Sequence, residues 1–204
     1  MIIFLEGADT FRSREKLKEI KEKFIKEVDK SGLNMQTIQV QGTNADIESI
    51  EKAITTLPFI AKKRMVIIEN IVSSKQPEKN IKKITELLVK KSNQDTIVVF
   101  WEEKLDEKKL RKNTLYNMLV QEKYHYIFEL LKPSEVINWI QKKVKSFGNT
   151  MANDAANRIS NMFGNDLWRI HGEIEKLCAY KKTMEITEQD VNLLSSAENQ
   201  ENIF

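Results

Sequence analysis

The stretch MIIFLEGADTFRSREKLKEI, residues 1–20, joins an apolar run to a charged segment through Glu6 and Gly7. The run Ile2–Leu5 has the composition of a buried strand, and the residues after Gly7 are spaced as in an amphipathic helix. A strand, a glycine turn and a helix in this order form the unit in which P-loop proteins bind phosphate. These residues therefore predict an α/β fold, and they raise the question of whether a nucleotide binds here.

The same alternation continues along the chain. A helix is predicted up to Gly32, and it is followed by strands at 33–40, 64–70, 96–102 and 125–130 and by helices at 45–57, 77–91 and 106–123. The segments MVII (65–68) and IVVF (97–100) show no polar alternation, which is typical of parallel strands covered on both faces. We therefore expect residues 1–132 to form a five-stranded parallel sheet flanked by helices.

After Pro133 the pattern is helical only. Helices are predicted at 134–147, 153–163, 166–180 and 186–194. Ser134 and Thr187 are the predicted N-caps of the first and last of these helices, because a side-chain hydroxyl can accept a free backbone N–H there. Residues 133–204 are expected to form a small all-α domain.

Composition limits the possible functions. The chain has 204 residues, of which 41% are hydrophobic, so it can bury a core. Residues 1–132 carry 25 basic and 20 acidic side chains, whereas residues 133–204 carry 8 and 10. This mild excess permits an acidic partner for the first domain without requiring one. No apolar run is long enough to span a membrane, so we expect a soluble, cytoplasmic protein with no membrane partner.

Few residues are suited to metal binding or to nucleophilic catalysis. Cys178 is the single cysteine, and the two histidines, His125 and His171, are far apart in sequence. We expect no disulfide and no metal site. Cys178 and His171 are separated by about two helical turns, too far for a direct hydrogen bond, so no catalytic pair is expected.

The loop after the first strand departs from the P-loop pattern G-x-x-x-x-G-K-[ST]. When the pattern is aligned on Gly7, Arg12 replaces the second glycine, Ser13 replaces the lysine and Arg14 replaces the magnesium-binding hydroxyl. Asp9 is placed to cap the following helix and to occupy the N–H groups that a phosphate would use. We therefore predict a degenerate nucleotide site, with no bound nucleotide, cofactor or metal and with no catalytic residue.

Two predicted strands end in carboxylates that could bind Mg²⁺ beside a nucleotide. Glu69 ends the strand at 64–70, and Glu102 ends the strand at 96–102. Without a phosphate-binding loop, Glu69 is expected to cap its strand at the surface instead.

Five segments together resemble the delta subunit of bacterial DNA polymerase III. In chain order they are FLEGADTFRSREKLKEI (4–20), LPFIAKKRMVIIEN (57–70), TIVVFWEEKLDEKKLRKNTLY (96–116), INWIQKKVKSFG (137–148) and GNDLWRIHGEIEKLCAYK with ITEQDV (164–181 and 186–191). The resemblance implies an AAA+ module of the sliding-clamp loader that binds no ATP. Residues 1–132 would be the AAA+-like, clamp-binding domain and residues 133–204 the helical lid domain.

The resemblance also implies partners and a role. Such a subunit binds the sliding clamp (the beta subunit) and helps to open it during DNA replication, and it meets DNA indirectly. It is no enzyme by itself, but a non-catalytic subunit of the DNA-directed DNA polymerase holoenzyme, a nucleotidyltransferase. A collar domain normally follows, and the chain stops at ENQENIF (198–204) without one. We therefore expect a truncated fragment or a short member, whose assembly with the delta-prime and gamma/tau subunits is in doubt.

The segment TTLPFIAKKR (55–64) carries the predicted binding residues. Pro58 cannot continue the preceding helix and keeps its neighbour extended, which favours outward-pointing apolar side chains. The basic run Lys62–Arg64 follows at once and would form a polar rim around them. The opposite interpretation is that the apolar residues pack into the core. The resemblance implies that Phe59 and Ile60 insert into a pocket of the clamp, with Leu57 in support.

Two other functions remain open from the sequence. One is a stand-alone nucleic-acid-binding module that uses the basic first domain, and the other is an active P-loop-like ATPase with an unusual loop. In active AAA+ proteins an arginine of the lid domain reaches the nucleotide, and Arg169 matches its position loosely. Here Arg169 is expected to meet a carboxylate or solvent, and Trp168 to pack within the lid or against the first domain.

Overall fold

A computed structural model describes residues 1–43, 45–90, 95–182 and 184–195 of the chain, apart from the side chain of Glu107. The chain divides into two compact units, Met1–Glu129 and a second that begins at Leu130. Within the described residues, no helix is long and apolar enough to cross a membrane. The same residues contain no cluster of three or more His, Cys, Asp or Glu side chains that could hold a metal ion.

The first unit is built on a five-stranded sheet. Its strands are β1 (Ile2–Glu6), β2 (Met35–Gln39), β3 (Arg64–Glu69), β4 (Thr96–Trp101) and β5 (Tyr124–Ile127). They are ordered β2-β3-β4-β1-β5, and all neighbouring pairs are parallel. The predicted α/β class and the five-stranded parallel sheet flanked by helices are therefore confirmed.

Helices cover both faces of this sheet, which explains the continuous apolar strands. They are α1 (Thr10–Glu27), α2 (Ile47–Thr55), α3 (Glu78–Lys90), α4 (Glu107–Leu110) and α5 (Thr114–Leu119). On one face, Phe4, Val66 and Phe100 pack in a core with side chains of α2, α3 and α5. On the other face, Leu5 and Ile67 pack in a core with side chains of α1.

The single helix predicted at 106–123 is wrong, because the structure has two short helices there. The side-chain oxygen of Asn113 accepts the backbone N–H of Tyr116 at 3.0 Å and caps α5. Asn113 therefore starts a new helix instead of continuing the old one, as short polar side chains that compete for backbone N–H groups do.

The second unit is helical, with one addition. Its helices are α6 (Pro133–Ser146), α7 (Asn153–Phe163), α8 (Leu167–Lys181) and α9 (Glu188–Ser195). Two strands of two residues each, β6 (Thr150–Met151) and β7 (Glu185–Ile186), pair in parallel beside the helices. The pattern of one polar and one buried residue in each strand is too short to be recognised in the sequence.

One of the two predicted N-caps in this unit is confirmed and the other is wrong. The Thr187 hydroxyl lies 3.5 Å from the Asp190 backbone nitrogen and caps α9. Helix α6 begins one residue before Ser134, with Pro133 in its first position and Lys132 as the N-cap. The Lys132 backbone N–H donates to the Glu135 carboxylate at 2.8 Å, so the stabilising contact comes from Glu135.

Candidate functional site

The loop after β1 is crossed by another part of the main chain. Gly7 has φ +137°, and a Cβ atom there would lie only 2.3 Å from the carbonyl oxygen of Phe128. The backbone N–H of Asp9 donates to this same oxygen at 2.9 Å, and the N–H of Phe128 donates to Glu6 O at 2.7 Å. Glycine is therefore required at position 7 by the close passage of the chain that leaves β5.

The N-terminus of α1 is capped by a carboxylate of the protein itself. Asp9 Oδ1 accepts the Arg12 backbone N–H at 2.9 Å, and Asp9 Oδ2 accepts Arg12 Nε–H at 2.6 Å. The Arg12 guanidinium also donates to the carbonyl oxygen of Glu129. The predicted cap at Asp9 is confirmed, and it places a negative charge where a phosphate would bind in a P-loop protein.

The next two residues of the degenerate loop are also engaged internally. Ser13 is fully buried; its hydroxyl donates to Thr10 O at 3.1 Å and accepts Trp101 Nε1–H at 3.0 Å. Arg14 donates to both carboxylate oxygens of Glu69, at 2.6 and 2.9 Å, and its guanidinium carbon lies 3.4 Å from the Trp101 ring centre. The expectation of a surface cap at Glu69 is wrong, since Glu69 is buried and paired with Arg14.

Glu102 stabilises a turn of the main chain. Its side chain is fully buried, and its carboxylate accepts the backbone N–H groups of Val72 at 2.7 Å and Ser73 at 3.1 Å. Burial raises the pKa of Glu102 to about 7. This carboxylate thus holds the segment that follows β3.

The loop between α2 and β3 exposes three large apolar side chains. Leu57 is 69% exposed, Phe59 is 63% exposed and Ile60 is 91% exposed. We call these three residues the apolar tip. Helix α2 ends at Thr55, before Pro58, in agreement with the expectation that proline cannot continue the helix. The interpretation that these side chains pack into the core is therefore wrong.

A residue that the sequence did not reveal holds the backbone of the apolar tip. The side chain of Asn34, which is fully buried, donates from Nδ2 to Phe59 O at 2.8 Å and accepts Phe59 N–H at Oδ1 at 2.5 Å. The next residue, Ile60, has φ +62°. Asn34 carried no signal in the sequence, because it fell within the strand predicted at 33–40 and lies 25 positions from Phe59.

The basic rim is smaller than predicted. Arg64 is the first residue of β3, and its guanidinium donates to Gln36 Oε1 at 2.6 Å. Lys62 is exposed, whereas Lys63 and Arg64 are partly buried. Lys62 is therefore the most accessible of the three charges in the predicted rim.

In the second unit, Arg169 is exposed to solvent, as predicted. The Arg169 guanidinium carbon lies 4.9 Å from the ring centre of Phe163, an arrangement in which the ring face attracts the cation. Trp168 is 55% exposed, so packing covers less than half of its side chain.

A comparison with protein families identifies the chain. The model of the DNA polymerase III delta subunit family matches residues 4–126, which include the degenerate loop and the apolar tip. The chain belongs to the DNA polymerase III delta subunit family. A second family model, described as a middle domain, matches residues 132–193. No curated protein sequence matches the chain significantly.

Solved structures share the fold of this family member. The Bacillus subtilis DNA clamp loader delta protein is 21% identical, with a TM-score of 0.64 over 95% of this chain and 57% of the other. A DNA polymerase III gamma subunit-related protein of Thermotoga maritima is 14% identical, with a TM-score of 0.52 over 89% and 56%. Domain III of the replication initiation protein DnaA from Thermotoga maritima is 14% identical, with a TM-score of 0.58 over 96% and 83%. The chain spans a little over half the length of the first two proteins.

Proposed function

We propose that this chain is the clamp-binding part of a clamp-loader delta subunit. It binds the sliding clamp and helps to open it during DNA replication, and it hydrolyses no nucleotide itself. The observation that carries the proposal is the apolar tip, in which Leu57, Phe59 and Ile60 are each more than 60% exposed. Membership of the delta family supports the choice of partner.

The apolar tip has the composition of a protein-binding anchor. Burial of an apolar side chain stabilises a complex by roughly 25 cal/mol per Å² removed from water, so exposed leucine, phenylalanine and isoleucine side chains favour a partner with an apolar pocket. A central apolar anchor in a polar surrounding is the usual arrangement at binding hot spots. Insertion of the tip would favour a clamp conformation with one interface opened, and this step needs no bond to be made or broken.

The lack of nucleotide binding is part of the same proposal. It is supported by the contacts of the degenerate loop, in which Asp9 caps α1, Ser13 bonds to Trp101 and Arg14 pairs with Glu69. Trp101 lies directly under Arg14, so its fluorescence would report a nucleotide bound at the degenerate loop. Titration with ATP and Mg²⁺ should leave this fluorescence unchanged. A saturable change in fluorescence would contradict this part of the proposal.

Binding to the sliding clamp of the same organism tests the main proposal. We expect the purified chain to bind the clamp in isothermal titration calorimetry, and to release clamps from nicked circular DNA without ATP. A chain that binds no clamp and instead binds DNA with a steep salt dependence would be a nucleic-acid-binding module. That outcome would refute the proposal.

Other partners follow from the family alone. We propose that the delta-prime and gamma/tau subunits of the clamp loader are further partners, and that DNA is met indirectly through the clamp. The chain spans only a little over half of the Bacillus subtilis delta protein. Co-purification of this chain with the other subunits, compared with that of the Bacillus subtilis delta protein, would test these contacts.

A further inference from the structure

We propose that Asn34 is a positioning residue that holds the apolar tip in its binding conformation. The inference rests on the proposed function, in which the tip binds the sliding clamp. The juxtaposition that carries it is the pair of hydrogen bonds between the Asn34 side chain and the backbone of Phe59.

The amide of Asn34 satisfies both main-chain groups of the central tip residue. Phe59 N–H donates to Asn34 Oδ1, and Asn34 Nδ2–H donates to Phe59 O. The pair imitates the hydrogen bonding of a neighbouring strand at a position where the sheet supplies none. Because Asn34 is fully buried, water does not reach its side-chain amide.

Asn34 is itself fixed to rigid parts of the first unit. Its backbone N–H donates to Asp29 Oδ2 at 2.7 Å, and its carbonyl oxygen accepts the N–H of Met65 at 2.8 Å. Met65 belongs to β3, an interior strand of the sheet. Asp29 also accepts Ser31 N–H at 3.2 Å. A continuous set of hydrogen bonds therefore leads from the sheet to Phe59.

The backbone of the tip needs such support. Ile60 has φ +62°, a left-handed conformation that crowds the Cβ atom of any residue except glycine and is least favourable for a β-branched side chain. Strained conformations of this kind persist where the surrounding structure holds them. The two Asn34 bonds act on the residue directly before Ile60, so their loss would let the loop relax and redirect both apolar side chains.

A preorganised tip binds more tightly than a mobile one, because ordering of a loop on association lowers affinity. If the binding conformation becomes a minor one, the apparent dissociation constant rises in inverse proportion to its population. We expect Asn34→Ala to weaken clamp binding by about 10-fold, although the three tip side chains are unchanged.

The test is a double-mutant cycle with the purified sliding clamp of the same organism. Clamp affinity is measured by isothermal titration calorimetry for the parent, Asn34→Ala, Phe59→Ala and the double variant. Asn113→Ala is the matched control, because it also removes an asparagine side chain that bonds a backbone N–H, at the start of α5. Far-UV circular dichroism and urea unfolding show that each variant is folded at the temperature of the titration.

We expect three results. Asn34→Ala lowers the affinity about 10-fold, Asn113→Ala leaves it unchanged, and Asn34→Ala has a smaller effect once Phe59 is alanine, because one of the two side chains that Asn34 positions is gone. If Asn34→Ala does not fold, Asn34→Asp replaces it, since aspartate keeps the acceptor for Phe59 N–H and loses the donor to Phe59 O. A severalfold loss of affinity is expected for that variant as well.

Different outcomes separate the two proposals. If Phe59→Ala weakens binding but the folded Asn34 variants bind like the parent, Asn34 has no positioning role and the proposed function stands. Equal losses from Asn34→Ala with and without Phe59, or an equal loss from Asn113→Ala, would also overturn the inference. If Phe59→Ala binds as tightly as the parent, the proposed function fails.

Discussion

Replacement of Phe59 by alanine is expected to weaken clamp binding strongly and to change folding little. An aromatic side chain buries about 150–250 Å² in a complete contact. Since Phe59 is 63% exposed, roughly 95–160 Å² remains for a partner to cover. At about 25 cal/mol per Å², and with allowance for the methyl group of alanine, the loss is about 2–3 kcal/mol. This corresponds to an affinity about 30- to 150-fold lower.

The assay compares clamp affinity with folding stability. Isothermal titration calorimetry with the sliding clamp gives the dissociation constants of the parent and of Phe59→Ala. The free energy of unfolding, measured in urea, should differ by less than about 0.5 kcal/mol between the two proteins, because Phe59 is mostly exposed and alanine keeps both backbone bonds to Asn34. Phe147→Ala is the matched control, since Phe147 is a partly exposed phenylalanine (41%) of the second unit.

Two results would refute this reasoning. One is a folded Phe59→Ala protein that binds the clamp as tightly as the parent, because the apolar tip would then not be the anchor. The other is an equal loss of affinity in Phe147→Ala, which would show that the loss does not depend on the position of Phe59.

Three further predictions concern folding. Asp9→Ala removes the cap of α1 and should lower the free energy of unfolding by about 1 kcal/mol in urea, with clamp affinity unchanged. Arg14→Met leaves the buried Glu69 carboxylate without its partner and should cost about 2–3 kcal/mol, part of which Arg14→Met/Glu69→Gln recovers. Burial raises the pKa of Glu102 from 4.5 to about 7, so the folded state binds the carboxyl proton of Glu102 more tightly than the unfolded chain does. Proton binding by Glu102 therefore stabilises the fold fully below pH 4.5, and this contribution is lost as pH rises through 7. Relative to Glu102→Gln, the unfolding free energy of the parent should therefore fall by up to about 3 kcal/mol over this interval, and a constant difference would contradict it.

Local patterns were sufficient for most of the secondary structure. Strands β3 and β4 were predicted because uninterrupted apolar runs are typical of parallel strands buried on both faces. The helix at 106–123 was predicted as one element because its apolar spacing is continuous, and the cap at Asn113 divides it. The pair β6–β7 was missed, because strands of two residues show no period.

The sequence by itself determined the alternation of strands and helices along the first unit and the cap at Asp9, and it favoured an outward apolar tip after Pro58. Each of these depends on residues close together in the chain. Tertiary structure alone decided the contacts of these residues: Phe128 over Gly7, Glu69 on Arg14 and Asn34 on Phe59. Each joins distant segments, and the last two span 55 and 25 positions. Their formation depends on the strand order β2-β3-β4-β1-β5, because that order and the register of the strands bring particular loop ends together. Short-range propensities cannot specify such pairs, since many partners of suitable chemistry exist along the chain and only the packed fold selects one.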